Sequence, residues 1–157
     1  MEPYSADYAL QVAVQMERLG HTFYQSLAAG CGNAQVAAIA TNLAAAEQRH
    51  LQTFERMRSS LPADQRAPKL TDQQLASTAG RFHKLILPTA DKVRQVATSG
   101  DMFKALEMAM QMELDSIAYY SSLISTVGGD AAVLKAVIEE ENSHLDLLRD
   151  YRKQLSG

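Results

Sequence analysis

Two short patterns in this 157-residue chain carry metal-ligand chemistry: Glu47-Gln-Arg-His50 and Glu141-Asn-Ser-His144. On a helix, positions i and i+3 lie about 60° apart around the axis and about 4.5 Å apart along it, so each Glu and its His point to one side. Leu43, Leu51 and Phe54 share the side of Glu47, and Leu134, Val137, Leu145 and Leu148 share that of Glu141. Two further carboxylates sit in apolar stripes of the same kind. Glu17 lies among Leu10, Ala13 and Tyr24, and Glu113 among Leu106, Ala109, Ile117 and Tyr120. An ionised carboxylate facing a core costs several kcal/mol (about 3–5 when left unpaired) unless a cation neutralises it. No Lys or Arg lies on those faces. Two divalent ions would balance Glu17, Glu47, Glu113 and Glu141, with His50 and His144 as neutral ligands. Mixed carboxylate and imidazole donors suit iron or manganese, and zinc can occupy such sites too. The competing reading is a helical bundle with solvated acidic faces, which requires all four facial assignments to fail.

Long helices have to position these groups, and the sequence supplies four. The first runs from about Ser5 to Ala29 and stops at Gly30-Cys31-Gly32; the second opens on Asn33, a good N-cap, and runs to about Ser59. The third starts near Asp101 and ends before Gly128-Gly129, and the fourth runs from Asp130 almost to the last residue. Short turns make each pair an antiparallel hairpin. Between the hairpins lies a long connection, residues 61–100, with Pro62, Pro68 and Pro88. A short helix is expected after Thr71, which forms a capping box with Gln74, and another over residues 89–97. A connection of this length lets the third helix start at the opposite end of the bundle. The fold class is all-α, a four-helix bundle of two hairpins joined by a long crossover, and residues 1–157 are expected to form a single domain.

The hairpins repeat one another. Residues 9–28 align without gaps to residues 105–124 with nine of twenty positions identical, including Gln-Met-Glu and a tyrosine seven residues on, Tyr24 and Tyr120. Glu47-x-x-His50-Leu51 matches Glu141-x-x-His144-Leu145. A duplicated hairpin, or selection on a two-fold site, accounts for both likenesses.

Composition narrows the partners. A net charge of −3 without Lys/Arg blocks favours neither nucleic acid nor an anionic membrane. No apolar run approaches the roughly 20 residues of a membrane span. Met1-Glu2-Pro3-Tyr4-Ser5 is unlike a signal peptide, and Cys31, the single cysteine, fits a reducing compartment. A cytoplasmic location is expected.

Other residues read as follows. Tyr24 and Tyr120, two turns beyond their glutamates, either hydrogen-bond a ligating carboxylate or serve as core tyrosines. His21 faces inward, more often as a satisfied core histidine than as a ligand, and its repeat counterpart is Ile117. His83 has no metal-spaced partner. Met16, Met108, Met110 and Met112 read as packing, and Glu107, Glu139 and Glu140 as solvated charge. Cys31 has no activating neighbour. Tyr8, Val12 and Leu19 form an apolar stripe opposite Glu17, which suggests a homodimer interface.

At these residues the chain resembles the rubrerythrin branch of the ferritin-like superfamily, in which two helices give a Glu and two others Glu-x-x-His. The likeness covers nearly the whole sequence, including Phe23-Tyr24 and Tyr119-Tyr120. It implies a di-iron centre bridged by Glu47 and Glu141, with Glu17 and Glu113 as terminal ligands and His50 and His144 completing each metal's shell. It also implies reduction of hydrogen peroxide or dioxygen as the iron cycles between ferrous and ferric states. Two features differ. Rubrerythrins proper carry a rubredoxin-like domain with two Cys-x-x-Cys knuckles, which this sequence lacks, so an external electron donor is expected. They also carry a glutamate one turn beyond the ligand of the third helix, which exchanges with a histidine as the iron changes state. Here that place is Ser116, an argument against efficient peroxidase cycling. The alternatives are iron binding or storage without sustained turnover, and an interaction protein that a metal merely stabilises. A ferritin-type cage is the weaker form of storage, because the sequence ends at Gly157 without a fifth helix.

Overall fold

The computed structural model describes residues 5–126 and 130–157. The segment 1–4, which carries most of the N-terminus read as unlike a leader, and the Gly128-Gly129 pair lie outside the described residues. The rest is all-helical, with no strand among the described residues, as a ferritin-like bundle requires. In chain order the helices are α1 (Ala6–Gly30), α2 (Ala34–Ser59), α3 (Asp72–His83), α4 (Ala90–Ala97), α5 (Met102–Leu123) and α6 (Ala131–Ser156). The four long ones, α1, α2, α5 and α6, are those anticipated.

Local chemistry sets the boundaries. Ser5 caps α1 by accepting from the Tyr8 N–H, and Asn33 caps α2 by accepting from Gln35 and Val36. The Thr71 hydroxyl accepts from Gln74 N–H while the Gln74 amide oxygen accepts from Thr71 N–H, completing the capping box of α3. Thr89, directly after Pro88, caps α4, and Asp101 caps α5 through Lys104 N–H. Helix α3 ends on Lys84 at φ 52°, a left-handed position that a non-glycine residue occupies at some cost.

Helix α1 packs along α2 and α5 along α6. The hairpins meet with α1 and α5 running in opposite senses, because Glu17 pairs with Tyr120 and Tyr24, further along α1, pairs with the earlier Glu113. Helices α2 and α5 therefore share a direction. The connection between them has to carry the chain back along the bundle, as its length suggested.

That connection overturns the basis of the dimer expectation. Val12 and Leu19 are fully buried and Tyr8 is half-buried. Val12 packs in one core cluster with Leu75 and Ala79 of α3 and with Leu85; Leu19 packs in the other with Val93 and Val96 of α4. The outer stripe of α1 is covered from within the chain, because α3 and α4 are themselves amphipathic and need an apolar surface to lie on. Asp7 and Gln11 tie the connection down. Asp7, buried on α1, accepts from Arg58 Nε at 2.7 Å and from Ala67 N–H at 2.7 Å, and Gln11 accepts from Leu70 N–H and donates to the Pro68 carbonyl.

Candidate metal centre

Each long helix delivers its predicted group to one place in the core. Glu17 (α1), Glu47 (α2), Glu113 (α5) and Glu141 (α6) are 0–4 % exposed, His50 is buried, and His144 is slightly more open. They form two overlapping donor sets: Glu17, Glu47, His50 and Glu141, and then Glu47, Glu113, Glu141 and His144. Within each set the donor atoms lie within 4.8 Å of one another. Glu47 and Glu141 belong to both.

The contacts inside the cluster do not satisfy it. His50 Nδ1 lies 2.7 Å from Glu141 Oε1 and 3.6 Å from Glu17 Oε2, and His144 Nδ1 lies 3.7 Å from Glu113 Oε1. Yet, among the described residues, His50 Nδ1, His144 Nδ1, Glu17 Oε2, Glu113 Oε2 and both oxygens of Glu141 have no hydrogen-bond partner. Close approach without hydrogen-bond geometry means that lone pairs converge on a shared point. Buried polar atoms left in this way are rare and costly in folded proteins. Among the described residues no Lys or Arg pairs with any of the four carboxylates. Donors of this kind, arranged around common points, fit a pair of metal ions.

Electrostatics point the same way. Burial, followed by the charges of Glu17 and Glu141, pushes the Glu47 carboxyl well above the ordinary range, and burial with Glu113 as neighbour does the same to Glu141. Burial disfavours a charged His50, but Glu141 and Glu17 outweigh it and lift its pKa to about 11. Glu113 is held below the usual range, since Glu141, His144 and Tyr24 overcome its burial. The pocket demands positive charge, and a metal pair would supply it.

Around the six groups stand residues of two kinds. Tyr24 OH donates to Glu113 Oε1 at 2.7 Å, and Tyr120 OH donates to Glu17 Oε1 at 2.5 Å. Each tyrosine thus reaches across to the other hairpin's glutamate, and not to the one on its own helix. Burial and the adjacent carboxylates push both phenols well above their usual pKa, so they remain donors.

Two other features were not legible as functional. Glu140, read as solvated, turns its carboxylate to His50 and accepts from Nε2 at 2.9 Å, with Arg49 at 3.9 Å. Only a view across α2 and α6 reveals this, because on its own helix Glu140 is an ordinary outward charge. Gly20 lies one turn beyond Glu17, at the repeat position of Ser116. A Cβ there would stand 2.9 Å from Glu47 Oε2 and 3.1 Å from its Cδ. The glycine is what lets the Glu47 carboxylate lie against α1. The unequal residues at matched positions, Gly20 and Ser116, were the available signal.

A cavity of about 20 Å³, room for one molecule near the size of water, adjoins the cluster. Gly20, Ser116, Tyr24, Glu47 and Glu113 line it, with Met16, Met112, Leu87 and Pro88 supplying apolar wall.

The remaining singled-out residues lie elsewhere. His21 Nδ1 bonds the Ala44 carbonyl at 3.0 Å and belongs to neither donor set, as a satisfied core histidine should. His83 stands edge-on to the Tyr119 ring. Met108, Met110 and Met112 pack against the core, and Cys31 lies half-exposed in the turn after α1.

A family model described as Rubrerythrin matches residues 9–152. Comparison with curated proteins finds no match, and comparison with solved structures finds none either.

Proposed function

Since the chain belongs to the rubrerythrin family, we propose that it holds two iron ions and reduces hydrogen peroxide or dioxygen with electrons from an external donor. The observation that carries this reading is the cluster of buried, unpartnered carboxylate and imidazole atoms in two sets sharing Glu47 and Glu141. Glu17 and His50 would hold one ion, Glu113 and His144 the other, and Glu47 and Glu141 both. Bound ferrous iron supplies the electrons for reduction of the oxidant.

The chain's own residues do the rest. The shared glutamates keep the two positions together. Tyr24 and Tyr120 keep a proton at each phenol oxygen, hydrogen-bonded to Glu113 and Glu17, which orients those carboxylates. Leu10, Phe54, Leu134 and Leu145 keep bulk water from the cluster. The cavity beside Glu47 and Glu113 has room for a ligand near the size of water. Ser116, shorter than the family's glutamate, helps to leave that space open.

The test is anaerobic loading with ferrous iron, metal analysis, and stopped-flow mixing with peroxide or with dioxygen. Two irons per chain and repeatable oxidation after re-reduction support the reading. A single oxidation followed by growing mineral would favour storage. Inert zinc, or no uptake, would overturn it. Glu141→Ala should abolish loading, and unchanged metal content in that variant would remove the assignment of ligands.

A further inference from the structure

The repeat that builds the centre is not symmetric around it. Glu141 and His144 correspond to Glu47 and His50, so the counterpart of Glu140 on α2 is Ala46. Glu140 accepts from His50 Nε2 at 2.9 Å. Ala46 is buried and offers no side-chain acceptor, so His144 lacks the equivalent carboxylate. His144 is also the more open imidazole, with 13 % of its side chain exposed against 4 % for His50. The cavity touches Tyr24, the shared Glu47 and Glu113, whereas its lining includes none of Glu17, His50, Glu141 and His144, so of the two unshared glutamates it meets Glu113 alone.

These asymmetries act in one direction. With a metal bound at Nδ1, a carboxylate on the far ring nitrogen fixes the tautomer, because Nε2 keeps its proton and Nδ1 gives its lone pair to the metal. It also holds the ring plane and raises the basicity of the ligating nitrogen. Arg49 stands 3.9 Å from the same carboxylate, an exposed contact that adds little. Among the described residues no carboxylate stands behind His144 in this way, and a void adjoins its partner Glu113.

We propose that the two metal positions are unequal: Glu140 is a positioning residue that makes the Glu17–His50 position the tightly held one, and the Glu113–His144 position, next to the cavity, is the exchangeable one that meets small exogenous ligands. The inference rests on the di-metal reading above and adds an order of filling and a residue that sets it.

The experiment is an anaerobic titration of the metal-free full chain with Co(II), followed by visible absorption and by metal analysis after dialysis. The unaltered chain should fill in two steps at least about tenfold apart in affinity. Glu140→Ala should weaken the tighter step by about 10- to 100-fold and leave the other within about twofold, as loss of a carboxylate behind a ligating histidine does elsewhere. Glu140→Gln, which keeps an acceptor oxygen, should recover most of that loss. The Tm of the metal-free Glu140→Ala protein should stay within about 2 °C, as befits a half-exposed side chain. In a His50→Ala background Glu140→Ala should have no further effect, whereas in a His144→Ala background its effect should persist. Two equal steps, equal weakening of both, or a Glu140 effect that survives loss of His50 would overturn this inference while leaving the di-metal reading intact. No cobalt uptake by the unaltered chain would overturn both.

Discussion

Gly20→Ala separates the stability of the helix from the function of the site, because the two should move in opposite directions. Gly20 lies inside α1, where replacing glycine by alanine stabilises a helix by about 1 kcal/mol. The added methyl would stand 2.9 Å from Glu47 Oε2 and 3.1 Å from Cδ. Ordinary contact begins near 3.4 Å, so the carboxylate has to retreat by about 0.5 Å, beyond the roughly 0.2 Å tolerance of a metal–ligand distance. In the metal-free protein the retreat is cheap, because the obstructing atoms are the end of a flexible side chain. The metal-free variant should therefore gain up to about 1 kcal/mol, a rise of about 2–4 °C in Tm for a chain of this size. Metal binding should weaken about 10- to 100-fold, or roughly 1.4–2.7 kcal/mol, and in both steps, because Glu47 serves both donor sets. Thermal melts of the metal-free protein and anaerobic Co(II) titration measure the two halves separately. Metal affinity within twofold of the unaltered chain, or a metal-free variant destabilised by more than about 1 kcal/mol, would refute the reasoning.

Metal removal should lower stability by about 4 kcal/mol for each ion held in free metal at a thousand times its dissociation constant, about 8 kcal/mol for the pair, and Tm by about 16–32 °C; a chelator-treated sample melting with the loaded one would contradict the role of the cations. Tyr24→Phe and Tyr120→Phe each leave a buried carboxylate oxygen without its donor, and each should cost about 1–3 kcal/mol in urea unfolding of the metal-free form. Similar losses are expected from both, given their matched positions. Asp7→Ala should cost about 2–3 kcal/mol at pH 7, because it leaves the Ala67 N–H without its acceptor and Arg58 with Glu55 as its remaining partner. Burial works to raise the Asp7 pKa, but Arg58 and the Ala67 N–H outweigh it and hold the value below normal. A depressed folded pKa gives stability that is present above the unfolded value, about 3.9, and lost as pH falls through the folded one. The gap between Asp7→Ala and the unaltered chain should therefore narrow below pH 4, and a gap independent of pH would count against this assignment.

Much of the molecule was written along the chain. The four long helices, the capping box at Thr71 and the cap at Thr89 depend on residues within four positions of one another, which a linear reading captures. The convergence of these six side chains was legible for the same reason. A 3.6-residue period places Glu47 with His50 and Glu141 with His144, and four carboxylates in apolar stripes imply a buried charge that needs a counter-ion. What only the tertiary structure decided concerns groups far apart in sequence. The stripe of Val12 and Leu19 looked free because α3 and α4 cover it from more than fifty residues away. Glu140 looked solvated because its partner, His50, is on another helix. Tyr24 and Tyr120 could be assigned to a face but not to a carboxylate, and each proved to serve the opposite hairpin. Periodicity determines which side of a helix a residue occupies, whereas the relative height and rotation of packed helices determine what it meets there. The repeat supplied a nearly symmetric set of candidate metal-binding side chains. The packing around it made the two halves unequal.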